Sequence, residues 1–224
     1  MSKTKNIIIF GAGGNSRDII DTIGDINRAY ANTYKCVGIL DDEESLWGKE
    51  VMGVKVLGPI KNAVNFPKSF FVNGIYSVKK FFINEEIIKS SLIPLNRFEK
   101  IIHPTSLVSE TATIDVGSVL LKNVVIMSNV VIGKHVTIHP GAVISHDTYI
   151  GDYSFIANTV STGGYVKIDK SCFIGLNSTI RDRVQIGSYS IVGMGSTVLK
   201  DIPSGKTYTG NPAKPIKFNA DARK

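Results

Sequence analysis

A six-residue periodicity in the C-terminal half of the chain constrains the fold more than any other feature of the sequence. Every sixth residue from Val108 to Val198 is aliphatic at fifteen of sixteen positions, and Thr162 is the exception. The residue four places after each of them is small or β-branched throughout. A period of six matches neither the 3.6 residues of a helical turn nor the alternation of a hairpin strand. It indicates a coil that turns every few residues and directs one branched side chain inward on each side.

Glycine and cysteine fit the same register. Glycine frequently follows the aliphatic position, where we expect a corner too crowded for a side chain. These glycines are Gly133, Gly151, Gly175, Gly187 and Gly193. Cys172 falls on a small inward position and is predicted to be a core residue. Because Cys36 is the only other cysteine, the chain has no disulfide framework and fits a reducing compartment.

The N-terminal half follows a different pattern, in which short apolar strands alternate with amphipathic helices. The predicted strands are Ile7–Phe10, Cys36–Leu40, Ser69–Gly74 and Phe98–Ile102, and the predicted helices are Asp18–Ile26 and Ser77–Ser90. Such alternation predicts a small Rossmann-like α/β domain with a parallel sheet. We place this domain at residues 1–102 and the repeat domain at residues 103–224.

Charge and hydropathy narrow the possible partners. The net charge of +7, from 26 basic and 19 acidic residues, favours anionic ligands such as nucleotides. The sequence has no basic run interleaved with aromatic residues and no nucleic-acid motif, so we expect no nucleic-acid partner. The basic start is followed by only four apolar residues, and no stretch approaches the ~18 that a membrane span needs. We therefore expect a cytoplasmic protein without a membrane span.

A glycine-rich loop connects the first predicted strand to the first helix. Gly11, Gly13 and Gly14 let the backbone approach a phosphate at the helix N-terminus. The spacing departs from the dinucleotide-binding pattern because Ser16 occupies the place of the last glycine, so binding of a nicotinamide dinucleotide is a minor alternative. Asp41 and Asp42 end the second strand, and their carboxylates either reach a ribose or base edge or are solvated turn residues.

Several motifs together resemble one family. They are Ile9–Gly13 with Arg17, Ile39–Asp42, Asn73–Gly74 with Lys79–Lys80, and Ile102–Pro104 just before the repeats. In this combination the chain resembles, over nearly its whole length, the hexapeptide-repeat sugar acetyltransferases. That group contains the UDP-4-amino-sugar N-acetyltransferase of bacillosamine synthesis and sialic acid O-acetyltransferase. The resemblance implies a left-handed parallel β-helix with three units per triangular coil. We expect about five coils and no protruding loop.

The resemblance also implies where the sugar substrate binds and which residue is the catalytic base. It places the phosphates of a nucleotide sugar near the three loop glycines and the uridine near Asp41 and Asp42. His146 and Asp147 precede an Ile-Gly pair, as the catalytic histidine and its acid do in the family. A neutral imidazole at position 146 would take the proton from the attacking amine or hydroxyl. Asp147 would fix its tautomer and stabilise the imidazolium.

Three further residues near His146 are candidates for the site. Gly164 lies eighteen residues, one coil, after His146, and we expect its backbone about 4.8 Å above the imidazole. Its N–H is a candidate donor to the thioester oxyanion, although the glycine could equally relieve a tight corner. His139 is predicted to be a substrate contact, a supporting polar group or a solvated residue without a role in the site. Phe155 stands where the N-acetyltransferase branch has a second histidine that contacts the acetyl donor or sugar, which leaves the acceptor open.

The resemblance implies acetyl-coenzyme A as co-substrate, no metal, and a homotrimer with the coenzyme in a groove between adjacent subunits. The implied coenzyme contacts are Phe155, Gly164, Gly175, Gly193, Gly195, Pro212, Ala213 and Lys214, with Lys206 and Lys217 near the phosphates. A chain-terminating turn is the alternative explanation of the segment from Gly210 to Pro212.

Function is therefore predicted as acetyl transfer from acetyl-coenzyme A to a UDP-4-amino-4,6-dideoxysugar during glycan biosynthesis. O-acetylation of sialic acid or a related surface-polysaccharide sugar is the first alternative, because it would use the same base. A metal hydratase would need His135, His139 and His146 at one point, but their places within the six-residue units differ. A non-catalytic trimeric scaffold is the remaining alternative.

Overall fold

The computed structural model describes residues 4–76 and 81–216. Its N-terminal part is a three-stranded parallel sheet in the order β2-β1-β5, with a long helix packed on one face. The strands are β1 (Lys5–Phe10), β2 (Tyr34–Leu40), β3 (Glu50–Val51), β4 (Val54–Lys55) and β5 (Phe70–Asn73), and the helices are α1 (Gly14–Tyr30) and α2 (Asn84–Ser90). Short 3₁₀ helices cover Glu44–Leu46, Ile60–Asn65, Phe81–Ile83 and Leu95–Arg97. None of the helices in these two ranges is long and apolar enough to cross a membrane.

Strand β1 is the centre of the sheet, and its continuous apolar sequence explains that position. Ile7 and Ile9 point into the cluster that contains α1, whereas Ile8 and Phe10 point into the cluster on the opposite face. A parallel strand covered on both faces requires such a run. The predicted strands of the sheet are confirmed, and α1 extends beyond the predicted helix at both ends.

Two local expectations differ from the structure. The β3–β4 hairpin was not predicted, because its strands of two residues are too short to show a periodicity. The predicted helix Ser77–Ser90 is divided: residues 77–80, including Lys79 and Lys80, lie outside the described residues, and α2 follows a 3₁₀ turn.

The C-terminal part is a triangular left-handed parallel β-helix built from strands that are mostly two residues long. Side 1 contains β7 (Leu107–Val108), β10 (Val125–Ile126), β13 (Val143–Ile144), β16 (Ser161–Thr162), β19 (Thr179–Ile180) and β22 (Thr197–Val198). Side 2 contains β8 (Thr113–Ile114), β11 (Val131–Ile132), β14 (Tyr149–Ile150), β17 (Lys167–Ile168) and β20 (Gln185–Ile186). Side 3 contains β6 (Ile101–Ile102), β9 (Val119–Leu120), β12 (Thr137–Ile138), β15 (Phe155–Ile156), β18 (Phe173–Ile174), β21 (Ile191–Val192), β23 (Thr207–Thr209) and β24 (Lys214–Ile216).

The six-residue register is confirmed in detail. Strands on each side pair with strands eighteen residues away, as Val125 does with Val143. The second residue of each strand points inward, and from Leu120 to Val198 all of these residues are buried. Side 1 has six strands, so the β-helix is taller than the five coils expected. The strands recur every six residues from β7 to β22 without a protruding loop.

Crowding explains the glycines that follow the aliphatic positions. A Cβ on Gly133 would lie 2.8 Å from the Asp152 nitrogen, and one on Gly151 would lie 2.6 Å from the Lys170 nitrogen. Each corner also contains one residue with a left-handed backbone, at six-residue intervals from Gly117 to Gly195. Most of these residues are not glycine, so the sequence pattern did not reveal them.

The N-terminal domain covers side 3. The rings of Tyr76 and Phe155 lie 5.5 Å apart, and the rings of Phe98 and His135 lie 4.6 Å apart. Strand β6 pairs with β9, so this predicted last strand of the α/β domain is the first strand of side 3. The chain therefore enters the β-helix just before the predicted boundary at residue 103.

Helix α1 lies along the corner between sides 3 and 1, called corner 3–1 and formed by residues 121–124, 139–142, 157–160, 175–178 and 193–196. Near its C-terminal end, Asp25 accepts hydrogen bonds from His103 at 2.7 Å and Lys122 at 3.0 Å. These contacts, His103 first, hold the pKa of the Asp25 carboxyl well below its usual range. The ion-pair cluster fixes α1 to the first coils.

The imidazole of His135 is fully buried between the domains, stacked on Tyr153 at 5.3 Å, and burial lowers its pKa to about 4. The unfolded chain binds this proton near the ordinary pKa of about 6.5, so stability should fall as the pH drops from 6.5 to 4.

We predict that His135→Phe reduces the loss of unfolding free energy at pH 4 by about 3 kcal/mol. Thermal unfolding at pH 7 and pH 4 tests this, with Tyr153→Phe as a control that keeps the imidazole. An unchanged pH dependence in His135→Phe would contradict the account.

Candidate active site

His146 and Asp147 form a hydrogen-bonded pair on the corner between sides 1 and 2. This corner, called corner 1–2, consists of residues 127–130, 145–148, 163–166 and 181–184. The His146 side chain is 48% exposed, and its Nδ1 lies 2.8 Å from Asp147 Oδ2. Because a carboxylate only accepts hydrogen bonds, this contact favours the tautomer with the proton on Nδ1. Nε2 is then the unprotonated nitrogen that can act as a base. The outward projection predicted for His146 is confirmed.

Asp147 is also held by a residue of the neighbouring coil. The Asn129 side chain, one coil below, donates to Asp147 Oδ1 at 3.2 Å. Two hydrogen bonds lower the pKa of the Asp147 carboxyl below its ordinary value. The bond with His146 has the larger effect, and the bond with Asn129 has the smaller one. The carboxylate therefore stays ionised and can stabilise a protonated imidazole.

Gly164 lies directly over the imidazole, as its eighteen-residue distance predicts. A Cβ on Gly164 would lie 2.6 Å from His146 Cε1 and 2.7 Å from Nε2, so no side chain fits there while the ring keeps its position. Within residues 4–76 and 81–216, the Gly164 N–H has no protein acceptor. Its role as an oxyanion donor stays a prediction.

Thr162 explains the one break in the aliphatic repeat. The Ser145 N–H, just before His146, donates to Thr162 Oγ1 at 3.0 Å. At the equivalent place one coil below, the Met127 N–H donates to the carbonyl of Ile144. Strands β13 and β16 accordingly pair through one residue instead of two. The exception in the repeat thus marks the turn that carries His146.

The glycine-rich loop borders a cleft of about 450 Å³. The cleft brings together all five residues predicted for the nucleotide: Gly11, Gly13, Gly14, Asp41 and Asp42. Neither Gly13 nor Gly14 has a protein atom within 4 Å of where a Cβ would be, so the backbone here faces open space. Helix α1 begins at Gly14 with no acidic residue in its first turn. Its unpaired N–H groups suit an anion.

The two aspartates at the cleft have structural partners. Asp41 accepts hydrogen bonds from the backbone of Ala12 at 2.7 Å and of Glu43 at 2.8 Å, which ties the glycine loop to the end of β2. Asp42 Oδ1 accepts from the Ile60 N–H at 2.9 Å. Both carboxylates therefore accept hydrogen bonds from the backbone, and neither is a merely solvated turn residue. Contact with a nucleotide stays a prediction.

The predicted coenzyme residues other than Gly164 lie away from His146. Gly175, Gly193 and Gly195 are on corner 3–1, at the opposite edge of side 1. Crowding explains the first two, since a Cβ on Gly175 would meet the Met194 nitrogen at 2.6 Å, and one on Gly193 would meet Thr209 Oγ1 at 2.6 Å.

The C-terminal segment closes the last coil on side 1. The Ala213 N–H donates to the Thr197 carbonyl at 2.8 Å, and Pro212 and Lys214 flank it on the exposed surface. The exposed Lys206 lies just before β23, and Lys217 lies outside the described residues.

Phe155 on side 3 and His139 on corner 3–1 are both buried against aromatic rings. Phe155 is 7% exposed and packs between Tyr76 and Phe173, so it belongs to the domain interface and is not free to contact a coenzyme beside His146. His139 is not solvated, because its ring lies 4.6 Å from Phe155 and burial lowers its pKa to about 4.

The cleft and the His146 pair lie at different edges of side 1. Helix α1 starts at the cleft, and its residues Asp18 and Asp21 border a small cavity with Leu121 and Pro140 on corner 3–1. His146 is on corner 1–2. A single chain therefore does not bring its imidazole to its own cleft.

The three histidines of the hydratase alternative occupy three different corners. His135 is between sides 2 and 3, His139 is on corner 3–1, and His146 is on corner 1–2. Over the part of the chain that the structure describes, no group of three or more possible metal ligands occurs. These histidines do not form a metal site within one chain.

Family models match both parts of the chain. Residues 6–77 match the PglD N-terminal domain, and residues 129–164 match the bacterial transferase hexapeptide repeat. The first match falls in the predicted α/β domain and the second in the predicted repeat domain. Relatives in sequence are acyl-[acyl-carrier-protein]–UDP-N-acetylglucosamine O-acyltransferases. That of Pseudomonas aeruginosa is 34% identical over 88 residues, or 39% of this chain. The match spans only about a third of the relative's length, 34%.

Solved structures share the fold over the whole chain. The acetyltransferase domain of PglB from Neisseria gonorrhoeae, solved with acetyl coenzyme A, superposes with a TM-score of 0.83 at 24% identity, covering 96% of this chain and 100% of that domain. PerB from Caulobacter crescentus, solved with CoA and GDP-perosamine, superposes with a TM-score of 0.80 at 23% identity, covering 96% and 99%. At these identities the likeness establishes the fold.

Gly163 and Gly164 provide a matched test of the site. A Cβ on Gly163 would lie 2.5 Å from the Asp182 nitrogen, in the backbone of the next coil, whereas the three atoms nearest to a Cβ on Gly164 all belong to the His146 ring. We predict that Gly163→Ala destabilises the fold by about 1–3 kcal/mol. Gly164→Ala should leave the melting temperature nearly unchanged and displace the imidazole, which ¹⁵N-histidine NMR detects. Equal destabilisation by the two variants would show that Gly164 serves the fold alone.

Proposed function

We propose that this protein transfers the acetyl group of acetyl-coenzyme A to an amino group of a nucleotide-linked sugar. The observation that carries the proposal is the exposed His146, held by Asp147 in the tautomer that leaves Nε2 free. The amine attacks the thioester carbonyl carbon while Nε2 takes its proton. The C–S bond of the resulting tetrahedral intermediate then breaks, and the coenzyme leaves as a thiol that receives the proton. The products are the acetamido sugar and free coenzyme.

The phosphates of the nucleotide would bind in the cleft at the N-terminus of α1. Gly13 and Gly14 leave the backbone open to a ligand, and the helix dipole favours negative charge. PerB was solved with GDP-perosamine, which supports a nucleotide-linked sugar as the substrate class. The UDP-4-amino-4,6-dideoxysugar expected from the sequence is one member of this class. Because acetyl-coenzyme A and nucleotide sugars are cytoplasmic metabolites, we assign the reaction to the cytoplasm.

A homotrimer would bring the two halves of the site together. Side 3 is covered by the N-terminal domain, and side 2 has one charged outward residue, Lys167. The outward residues of side 1 are all uncharged: Leu107, Val125, Val143, Ser161, Thr179 and Thr197. An uncharged face is the one most easily buried between subunits. We therefore place side 1 at the threefold axis.

This orientation supports a composite active site. With side 1 at the axis, corner 1–2 of one subunit faces corner 3–1 of the next. His146 and Gly164 would then lie beside the neighbour's cleft, its Gly195 and its C-terminal segment. The coenzyme would run along this boundary, with Lys206 and Lys214 available to its phosphates.

O-acetylation of an acidic sugar is the second candidate, because the imidazole could equally activate a hydroxyl. The decisive experiment measures thiol release from acetyl-coenzyme A with UDP-, GDP- and dTDP-linked amino sugars and with free sialic acid. We predict turnover with a nucleotide-linked amino sugar and a loss of about 10²–10⁴ in His146→Ala with coenzyme binding retained. Turnover with sialic acid alone would establish the second candidate. Full activity in His146→Ala would refute the proposed base.

A matched pair at Gly13 completes this experiment. This residue is the N-cap of α1 and has an extended backbone without a capping side chain. Aspartate and asparagine both cap helices well, so Gly13→Asp and Gly13→Asn should fold. The aspartate should abolish binding of the nucleotide by repelling its phosphates, and the asparagine should weaken it less.

The trimer has its own test. We predict that Val143→Arg on side 1 dissociates the trimer, because three guanidinium groups would meet at the axis. Val131→Arg, at the equivalent strand position on side 2, should leave it intact. Analytical ultracentrifugation measures both masses. A trimer that survives Val143→Arg but not Val131→Arg would place side 2 at the axis instead.

A further inference from the structure

Tyr165 lies against the His146 imidazole on corner 1–2. The two rings meet edge to face, with centroids 5.3 Å apart and an interplanar angle of 90°. The Tyr165 backbone N–H also donates to the His146 carbonyl at 3.0 Å. The aromatic side chain therefore packs against the exposed imidazole from the coil above.

Tyr165 also lies near Asp147, the partner of the imidazole. After His146 and Asn129, it makes a smaller contribution to the lowered pKa of the Asp147 carboxyl. Tyr165 is thus a neighbour of both members of the pair, and its ring contacts the imidazole directly.

The Arg183 guanidinium lies over the ring of this tyrosine. Its guanidinium carbon lies 4.5 Å from the centroid of the Tyr165 ring, within the range of a cation–π interaction. The Arg183 N–H donates to the Gly164 carbonyl at 2.9 Å, which fixes its backbone over the same turn. The backbone of Tyr165 is in the left-handed region at φ 59°, where few bulky residues lie, and this further limits where its ring can point.

We propose that Tyr165, held by Arg183, is a positioning residue for the His146–Asp147 pair. His146 is almost half exposed, so without a neighbour its ring could rotate and lose the bond from Nδ1 to Asp147. Contact with Tyr165 keeps the ring in the orientation that leaves Nε2 outward. The expected effect of Tyr165 on turnover rests on the proposed function, whereas its effect on the orientation of the His146 ring does not.

The chain contains a matched control for this clamp. Tyr189 has a left-handed backbone at φ 60° and lies under the ammonium of Lys170 at 5.4 Å, but on the corner between sides 2 and 3. It is 37% exposed and contacts no part of the His146 pair. Replacing Tyr189 therefore reproduces the loss of a corner tyrosine without touching the site.

The direct test is ¹⁵N NMR of the labelled histidines at about pH 8.5, above the ordinary pKa of histidine. The chain has four histidines, and a His146→Asn spectrum assigns the one in question. We expect His146 to be protonated at Nδ1 in the unaltered protein and to show mixed tautomers in Tyr165→Leu. Tyr189→Leu should leave the spectrum unchanged. Tyr165→Phe keeps the ring that contacts the imidazole, and it should keep His146 protonated at Nδ1.

Kinetics provide the second test. Tyr165→Leu should lower kcat about tenfold with the KM for acetyl-coenzyme A unchanged, because a misplaced base slows the reaction without affecting coenzyme binding. Arg183→Gln should lower kcat by less than Tyr165→Leu does. Arg183→Lys keeps the cation over the tyrosine ring and should therefore keep kcat near that of the unaltered protein. Tautomers and kcat that are the same in Tyr165→Leu as in Tyr189→Leu would overturn the proposal. If no sugar is acetylated at all, the proposed function fails, and the NMR result still decides the role of Tyr165.

Discussion

The hydrogen-bonded stacking of coils eighteen residues apart is the constraint on which the rest of this structure depends. It places Asn129 below Asp147 and Gly164 above His146, so the His146–Asp147 pair, which is local in sequence, is supported by residues from neighbouring coils. It also explains why Thr162 replaces an aliphatic residue. Its hydroxyl accepts a hydrogen bond from the Ser145 N–H, just before His146, which in the regular repeat would donate to a backbone carbonyl. The site is therefore a local modification of a regular scaffold.

The second constraint is the triangular cross-section. The N-terminal domain occupies side 3, and its cleft lies beside corner 3–1, while His146 projects from corner 1–2. Neither element can reach the other around side 1 within one chain. The β-helix thus separates the cleft from His146 within one chain. Packing of side 1 against side 1 of other subunits is the simplest geometry that would bring a cleft and a histidine together.

The sequence was sufficient to predict the β-helix, the parallel sheet and the outward His146, because a strict period and buried apolar runs depend on local pattern. It could not predict how the N-terminal domain docks, so Phe155 was assigned to the coenzyme although it packs on Tyr76. The role of Tyr165 was also missed, because a left-handed corner residue has no sequence signal of its own. Contacts between domains and across coils depend on three-dimensional placement that one sequence does not specify.

The most direct test of the composite site mixes two inactive subunits in one trimer. His146→Ala keeps its cleft, and Gly13→Asp keeps its imidazole, so the account predicts little activity from either alone. Co-expressed subunits should recover about a quarter of the unaltered activity, because random assembly pairs an intact cleft with a neighbouring intact histidine at about one boundary in four. Mixed trimers with no more activity than the separate variants would show that each chain uses its own cleft and its own histidine, and would contradict the account.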